Sequence, residues 1–386
     1  MRDSYFSKEL AFIFKVSQIA LDSDNQQLDW SVFPDLDLKK IRELINAHGI
    51  RIQFYEGLRK ISLINNPELS ELCDLLKTFV FNQNLLELNL RAESFKLLKL
   101  LKDHEIEAII WKGIRIEETF YKQKNKIREC GDIDLMVKKT DFEKSLNVLF
   151  AKEYIGFNNA GEKIANQDAQ RINFGNNIEI TLQKESNDAI TIDLHRKTYP
   201  LFTPISVSEK FIFNNDIEEH KNYFRDCVLM LIHHGGRESW LSIKNITDWY
   251  MAIKNAPESF NWSAYENELK KMGLYRAFCT GNHLVGLAFE SNHLSQDQLG
   301  NIKNTIQFWD EPFSRHNPEL PLNKKIKLIK LNFQILDNIS FLEYIWRYVE
   351  FYSTANDLEI TPGSVSTCRK TNYFNLFYKM LSKFIH

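Results

Sequence analysis

Arg128-Glu129-Cys130-Gly131-Asp132-Ile133-Asp134-Leu135-Met136-Val137 is the stretch that decides the fold. Two aspartates alternate with apolar residues, and the run ends on a β-branched side chain. Along a strand, residues i and i+2 face the same way, so Asp132 and Asp134 share one face while Ile133 and Leu135 point into a core. Two carboxylates held roughly 7 Å apart on a rigid strand can bind a divalent metal. The pattern points to metal-dependent phosphoryl- or nucleotidyl-transfer chemistry.

A third acid lies downstream. Ile190-Thr-Ile-Asp193-Leu-His195 alternates so that Thr191, Asp193 and His195 fall on one face and Ile190, Ile192 and Leu194 on the other. If this strand neighbours the first, roughly 4.8 Å away, three carboxylates converge. Two Mg²⁺ ions about 4 Å apart would then clamp an attacking oxygen and a triphosphate. Magnesium suits hard oxygen ligands supplied by carboxylates and substrate phosphates. Upstream, Lys112-Gly113 sits where a strand gives way to a helix; the glycine lets backbone approach a phosphate, and Lys112, Arg115 and Arg128 offer positive charge. For Arg128, a structural salt bridge to a nearby acid is the competing reading.

Bulk properties narrow the classes. The chain has 386 residues, 49 Lys and Arg against 51 Asp and Glu, and a net charge of −2. No global attraction to nucleic acid or anionic membrane follows, and no basic stripe supports nucleic-acid binding. Cys73, Cys130, Cys227, Cys279 and Cys368 are scattered without a CxxC pair, which suits reduced thiols. The N-terminal Met1-Arg-Asp-Ser-Tyr5 carries no cleavable apolar segment, and no run approaches the roughly 18 apolar residues of a membrane span. The expected location is cytoplasmic.

Three- and four-residue apolar spacing predicts helices over residues 9–21, 38–47, 50–61, 68–79 and 82–101. The period then shifts. Strands are expected over residues 106–111, 132–137, 177–182 and 190–195, with a helix over 141–150 capped by Asp141 or Thr140. Helical periodicity returns after about Ser206, and the prolines at 312, 318 and 321 mark a linker before a last helical segment. The expected organisation is an N-terminal helical region (1–104), an α/β core (105–205), a helical domain (206–310), and a linker with a C-terminal helical segment (311–386).

These residues resemble a known family. Trp111-Lys-Gly113, Tyr121, Arg128-x-x-Gly131-Asp132-Ile-Asp134-Leu and Ile192-Asp193-Leu-His195 are similar to the motifs of the bacterial "uncharacterised nucleotidyltransferase" family, within the DNA polymerase beta-type nucleotidyltransferase superfamily. His233-His234-Gly235, Trp240-Leu241, Asp248 and His48-Gly49 fit its helical elements, so the likeness covers most of the chain. It implies an α+β fold: a small mixed-sheet, polymerase beta-like core flanked by N- and C-terminal helical domains. It also implies Asp132, Asp134 and Asp193 as catalytic metal ligands for two Mg²⁺ (or Mn²⁺) ions, and Lys112, Gly113, Arg128 and Gly131 around the nucleotide phosphates. The substrate would be a nucleoside triphosphate, and the acceptor a small molecule, peptide or protein. One residue departs from the wider superfamily: Ile114 follows Gly113 where a phosphate-binding serine is usual. That departure favours the alternative reading, a non-catalytic or weakly catalytic regulatory protein that binds nucleotide or a partner.

Of the remaining signals, adjacent His233 and His234 cannot share a helix face and lack further ligands at metal spacing. Lys324, Lys325, Lys327 and Lys330 read as a solvated helix face, and the aromatic, basic segment 373–385 as a docked terminal helix.

Overall fold

The computed structural model describes residues 5–22, 28, 32–33, 35–121, 127–157, 163–164, 179–184, 187–196, 219–290, 302–311, 321–335, 337, 340 and 343–345. The expected segment 373–385, the first two residues of the strand expected over 177–182, most of the proline-rich linker, and Cys368 lie outside these residues.

The alternation around Asp134 does produce a sheet. Strands β1 (Ala108–Ile110), β2 (Ile133–Val137), β3 (Tyr154–Phe157), β4 (Lys163–Ile164), β5 (Glu179–Lys184) and β6 (Asn187–His195) lie in the order β1-β2-β6-β5-β3-β4. The β2–β6 pair is parallel, and the other neighbours are antiparallel. Cross-strand registers put residues of one parity on one face. Ile133, Leu135, Ile180, Leu182, Ile190, Ile192 and Leu194 are all buried, giving an apolar face. Asp134, Asp193, His195, Thr191, Thr181, Gln183 and Glu179 form the opposite, polar face. Cross-strand hydrogen bonds knit that polar face: the Gln183 amide donates to Thr191 Oγ1 at 3.4 Å and the Thr181 hydroxyl to Asp193 at 2.7 Å. Strands β3 and β4 fall outside the expected set. Their four and two residues are too short for alternation to stand out from noise.

Two compact units make up the chain, and neither is one continuous segment. One comprises Met1–Leu85, Ile116–Cys130 and Ile212–Asp337; the other comprises Leu86–Arg115, Gly131–Phe211 and Asn338–His386. The four consecutive segments read from the sequence are therefore regrouped: N-terminal helices share a unit with helices some two hundred residues later.

In the first unit, α1 (Lys8–Leu21) starts on Ser7, whose Oγ accepts from the Leu10 amide at 3.3 Å. α2 (Leu38–His48) starts on Asp37 and stops at Gly49 in the left-handed conformation, and α3 (Arg51–Lys60) follows. α3 crosses α1 at Gly57, where a Cβ would stand 2.1 Å from the Val16 carbonyl oxygen. Separate helices expected over 68–79 and 82–101 are one continuous α4 (Ser70–Asp103). Val80 and Phe81, which join them, carry no helix-breaking chemistry, so the hydrogen-bond ladder simply continues. Next along the chain come α5 (Ile114–Phe120), whose residues are divided between the two units, and α6 (Phe142–Phe150), which belongs to the second; Asp141 holds the N-cap position of α6 but makes no side-chain capping bond. The later helices are α7 (Glu219–Arg237), α8 (Ile243–Lys254), α9 (Trp262–Met272), α10 (Tyr275–Phe289), α11 (Lys303–Trp309) and α12 (Leu322–Gln334). They pack about Trp240, fully buried, whose indole N–H donates to the Ala277 carbonyl at 3.0 Å. Gly235 and Gly281 leave room for that indole: a Cβ at either would sit 2.3 and 2.6 Å from its ring atoms. The His-Gly and Trp elements of the sequence are thus two halves of one packing contact.

Candidate active site

β2 and β6 run parallel with Asp134 opposite Asp193 and Ile133 opposite Ile192. That register places the two acids side by side on the polar face, as the alternation requires once the strands are neighbours. Asp132 precedes β2 by one residue and is part-exposed. The turn after β1 comes over the same place. The Trp111 amide donates to the Asp134 carbonyl at 2.8 Å, extending the β1–β2 pairing, and Lys112 then reaches Asp134 Oδ1 with its ammonium at 3.1 Å. Gly113 has φ +48°, a left-handed conformation that L side chains avoid. A Cβ there would lie 3.6 Å from the Asp132 carbonyl oxygen and 4.0 Å from Asp134 Oδ2. Lys112, Gly113, Asp132, Asp134 and Asp193 therefore belong to one locality in the second unit.

Asp134 is buried, and burial pushes its carboxyl up. The Lys112 charge and the His195 hydrogen bond outweigh that, holding it well below the usual carboxylate range. Asp193 behaves oppositely. Its carboxyl is pushed up to about 6, foremost by burial; the Thr181 hydroxyl pulls it down, and Glu179, Asp132 and Asp134 push it further up. His195 is buried between two carboxylates, with Nε2 2.9 Å from Asp134 Oδ1 and Nδ1 2.9 Å from Glu179 Oε2. Burial works against its charge, but these two hydrogen bonds raise its pKa above the ordinary histidine value. Sequence reading put His195 on the face of Asp193 without finding its partners. Glu179, which it missed, carries no motif signal and is found only through the β5–β6 register.

A divalent cation is tested by the donor set. Among the described residues, no group of three or more His, Cys, Asp or Glu side chains converges as a ready-made metal cage. The reason is visible in the partners: Asp134 Oδ1 is turned to Lys112 and His195, and Asp193 to Thr181. The chemistry of the donors still fits a hard cation. They are carboxylate oxygens, and Asp193 feels mutual repulsion that a positive ion would relieve.

Arg128 is a correction to the phosphate set. It lies in the first unit and is engaged there: Nε donates to Asp248 Oδ1 at 2.9 Å and Nη2 to Oδ2 at 3.0 Å. The Tyr121 hydroxyl donates to the same Asp248 Oδ1 at 2.6 Å. Arg128 and Asp248 are both buried, so the guanidinium's fork is spent on a structural ion pair. Its neighbours are anchored likewise: Glu129 accepts from Arg51 Nη2 at 2.6 Å and from the Ile52 amide at 3.3 Å, capping α3, and the Cys130 carbonyl accepts from Gln83. Gly131 is exposed, and a Cβ there would meet nothing within 4 Å, so no packing in the described residues demands glycine. Arg115 is buried at the head of α5, and that helix of seven residues has too short a dipole to make much of an anion site.

The chain belongs to the uncharacterised nucleotidyltransferase family. That family's model matches residues 34–290, two-thirds of the chain, and spans both the acidic sheet face and the Arg128–Asp248 pair. No curated protein and no solved structure is significantly similar to the chain. Membership in this family supports nucleotidyl transfer as the general activity. Among the described residues no helix is long and apolar enough to cross a membrane.

Proposed function

We propose that the polar face of β2 and β6 is a Mg²⁺-dependent nucleotidyl-transfer site built on a polymerase beta-like core. The observation that carries this reading is the parallel register of Asp134 with Asp193, beside a Gly113 turn whose left-handed backbone disfavours any L side chain. Asp132, Asp134 and Asp193 would hold the metal. Bound there, Mg²⁺ supplies charge neutralisation for a triphosphate and polarises the phosphorus under attack.

The chain's own residues do the rest. Lys112 keeps a positive charge over the acids and is the side chain nearest to serve the phosphates. Gly113 lets substrate approach the backbone closely. An acceptor hydroxyl attacks the α-phosphorus, a new P–O bond forms, the α–β bridging P–O bond breaks, and pyrophosphate leaves. Asp193, beside the attacking group, takes the hydroxyl proton. The acceptor is a hydroxyl on a small molecule, peptide or protein.

Pyrophosphate release across the four NTPs and an acceptor panel, with and without Mg²⁺, tests the proposal. The combined Asp132→Asn and Asp134→Asn variant is expected to lose both metal-dependent nucleotide binding and turnover; retention of both would overturn it. A second reading, a regulatory nucleotide binder, is favoured by two observations: Ile114 is buried where a phosphate-binding serine is usual, and Asp134 Oδ1 is already engaged. Calorimetry showing NTP binding without pyrophosphate release over the whole panel would select it.

A further inference from the structure

The polar face of the sheet contains a chain of charges that metal ligation alone does not call for. It runs across three strands and a turn: Glu179 on β5, His195 on β6, Asp134 on β2, and Lys112 after β1. His195 is 2 % exposed, and each of its ring nitrogens stands 2.9 Å from a carboxylate oxygen. The imidazole is therefore pinned at both nitrogens, one against each carboxylate, and its orientation is fixed from both sides.

The consequence falls on Asp134. Its Oδ1 accepts from both His195 Nε2 and the Lys112 ammonium. Its Oδ2 has no hydrogen-bond or ion-pair partner among the described residues, and it is the oxygen that faces the Gly113 turn. The carboxylate has two oxygens with different tasks: one is tied down, and the other is presented.

We propose that His195, braced by Glu179, is a positioning residue that commits Asp134 to present Oδ2 rather than Oδ1 toward the Gly113 turn. The inference rests on the nucleotidyl-transfer reading, because it assigns Oδ2 to metal or substrate. Glu179 acts at one remove. Its Oε2 stands 2.9 Å from Nδ1, which holds the ring in the orientation that aims Nε2 at Asp134 Oδ1. Partners of this kind beyond the ligands themselves typically carry roughly 10–100-fold in metal affinity.

Mn²⁺ binding, followed by the electron paramagnetic resonance of the unbound ion, gives a readout independent of turnover. The wild type is compared with Asp134→Asn, Glu179→Gln, Glu179→Asp and His195→Gln. Binding is expected to vanish in Asp134→Asn, to weaken roughly tenfold or more in Glu179→Gln and His195→Gln, and to recover in part in Glu179→Asp. Should His195→Gln fail to fold, the Glu179 variants decide alone, since that side chain is 38 % exposed at the sheet surface. Mn²⁺ affinity in Glu179→Gln within twofold of wild type, alongside loss in Asp134→Asn, overturns the positioning role and leaves the transfer site standing. Wild-type-like binding in Asp134→Asn removes the transfer site itself, and the inference falls with it.

Discussion

Asp248 and Asp134 are both buried aspartates beside cations, and their surroundings differ in one respect. Asp248 meets a guanidinium through both oxygens and a tyrosine hydroxyl besides. Asp134 meets an ammonium and an imidazole through one oxygen only, and its neighbours include a second acid in direct register. The first arrangement balances its charge and has nothing left to offer. The second collects acids beyond what its partners can settle, as Asp193 registers by being pushed up to about 6. Buried histidines repeat the contrast. His48 is a neutral cap: its Nε2 donates to the Trp309 carbonyl at 2.9 Å, and its Nδ1 accepts from the Ile243 amide at 3.4 Å. His195 sits between two carboxylates and is driven the other way. Satisfied polar groups in the first unit hold the fold, whereas the sheet face carries an excess of acid that its own partners do not balance.

The largest way to break this comparison is to remove Asp248. Asp248→Ala leaves Arg128 charged and buried without its bidentate partner, and is expected to cost roughly 3–5 kcal/mol of stability by urea denaturation. A loss under about 1 kcal/mol would make the pair no more structural than a surface contact.

His48 gives the next effect. Burial lowers its pKa from 6.5 to about 4, outweighing its bond to the Trp309 carbonyl. A depressed histidine pKa means the unfolded chain takes up the proton first. Its contribution to stability is therefore complete above 6.5 and is lost as the pH falls from 6.5 towards 4. By about pH 5 the loss is expected to reach about 2 kcal/mol, and His48→Gln should flatten that part of the profile. Protonation would also turn Nδ1 into a donor facing the Ile243 amide. An unchanged slope in His48→Gln would show that His48 is charged or exposed in the folded protein.

Asp193→Asn sharpens the comparison in the opposite direction. In metal-free protein at neutral pH, an ionised Asp193 opposes folding, because its folded-state pKa is raised. Asparagine removes the repulsion and keeps the volume, so a gain of about 1 kcal/mol is expected, with turnover lost. Destabilisation instead would place Asp193 with Asp248 among structural acids. Gly113→Ala is the smallest: adopting φ +48° should cost about 1 kcal/mol in thermal unfolding. Weakened NTP binding beyond that cost would mark the turn as part of the site.

The strand placement of the candidate residues is legible in the sequence. Asp132, Asp134 and Asp193 stand out because a half-buried strand writes its two faces as an alternation, and both strands formed where the alternation lies. Gly113 was legible as turn chemistry. Arg128 is ambiguous in the sequence, since a basic residue beside an acidic motif looks the same whether it binds substrate or an aspartate 120 residues away. Glu179 was invisible for the same reason: it matters only through its partner on the next strand. The short strands β3 and β4 and the unbroken α4 were missed where the pattern is too brief or the missing breaker too subtle to read.

By itself the sequence determined the local facts, because period, capping chemistry and glycine preference act over a few residues: that the segments around Asp134 and Asp193 are strands, which face each acid takes, and that Gly113 sits at a turn. Only the tertiary structure decided partnerships. That β2 runs parallel to β6 with Asp134 against Asp193, that Arg128 is spent on Asp248, and that His195 joins Glu179 to Asp134 depend on strand order and register. These are set by burying the apolar face as a whole, a sum over residues distant in sequence that no local pattern encodes.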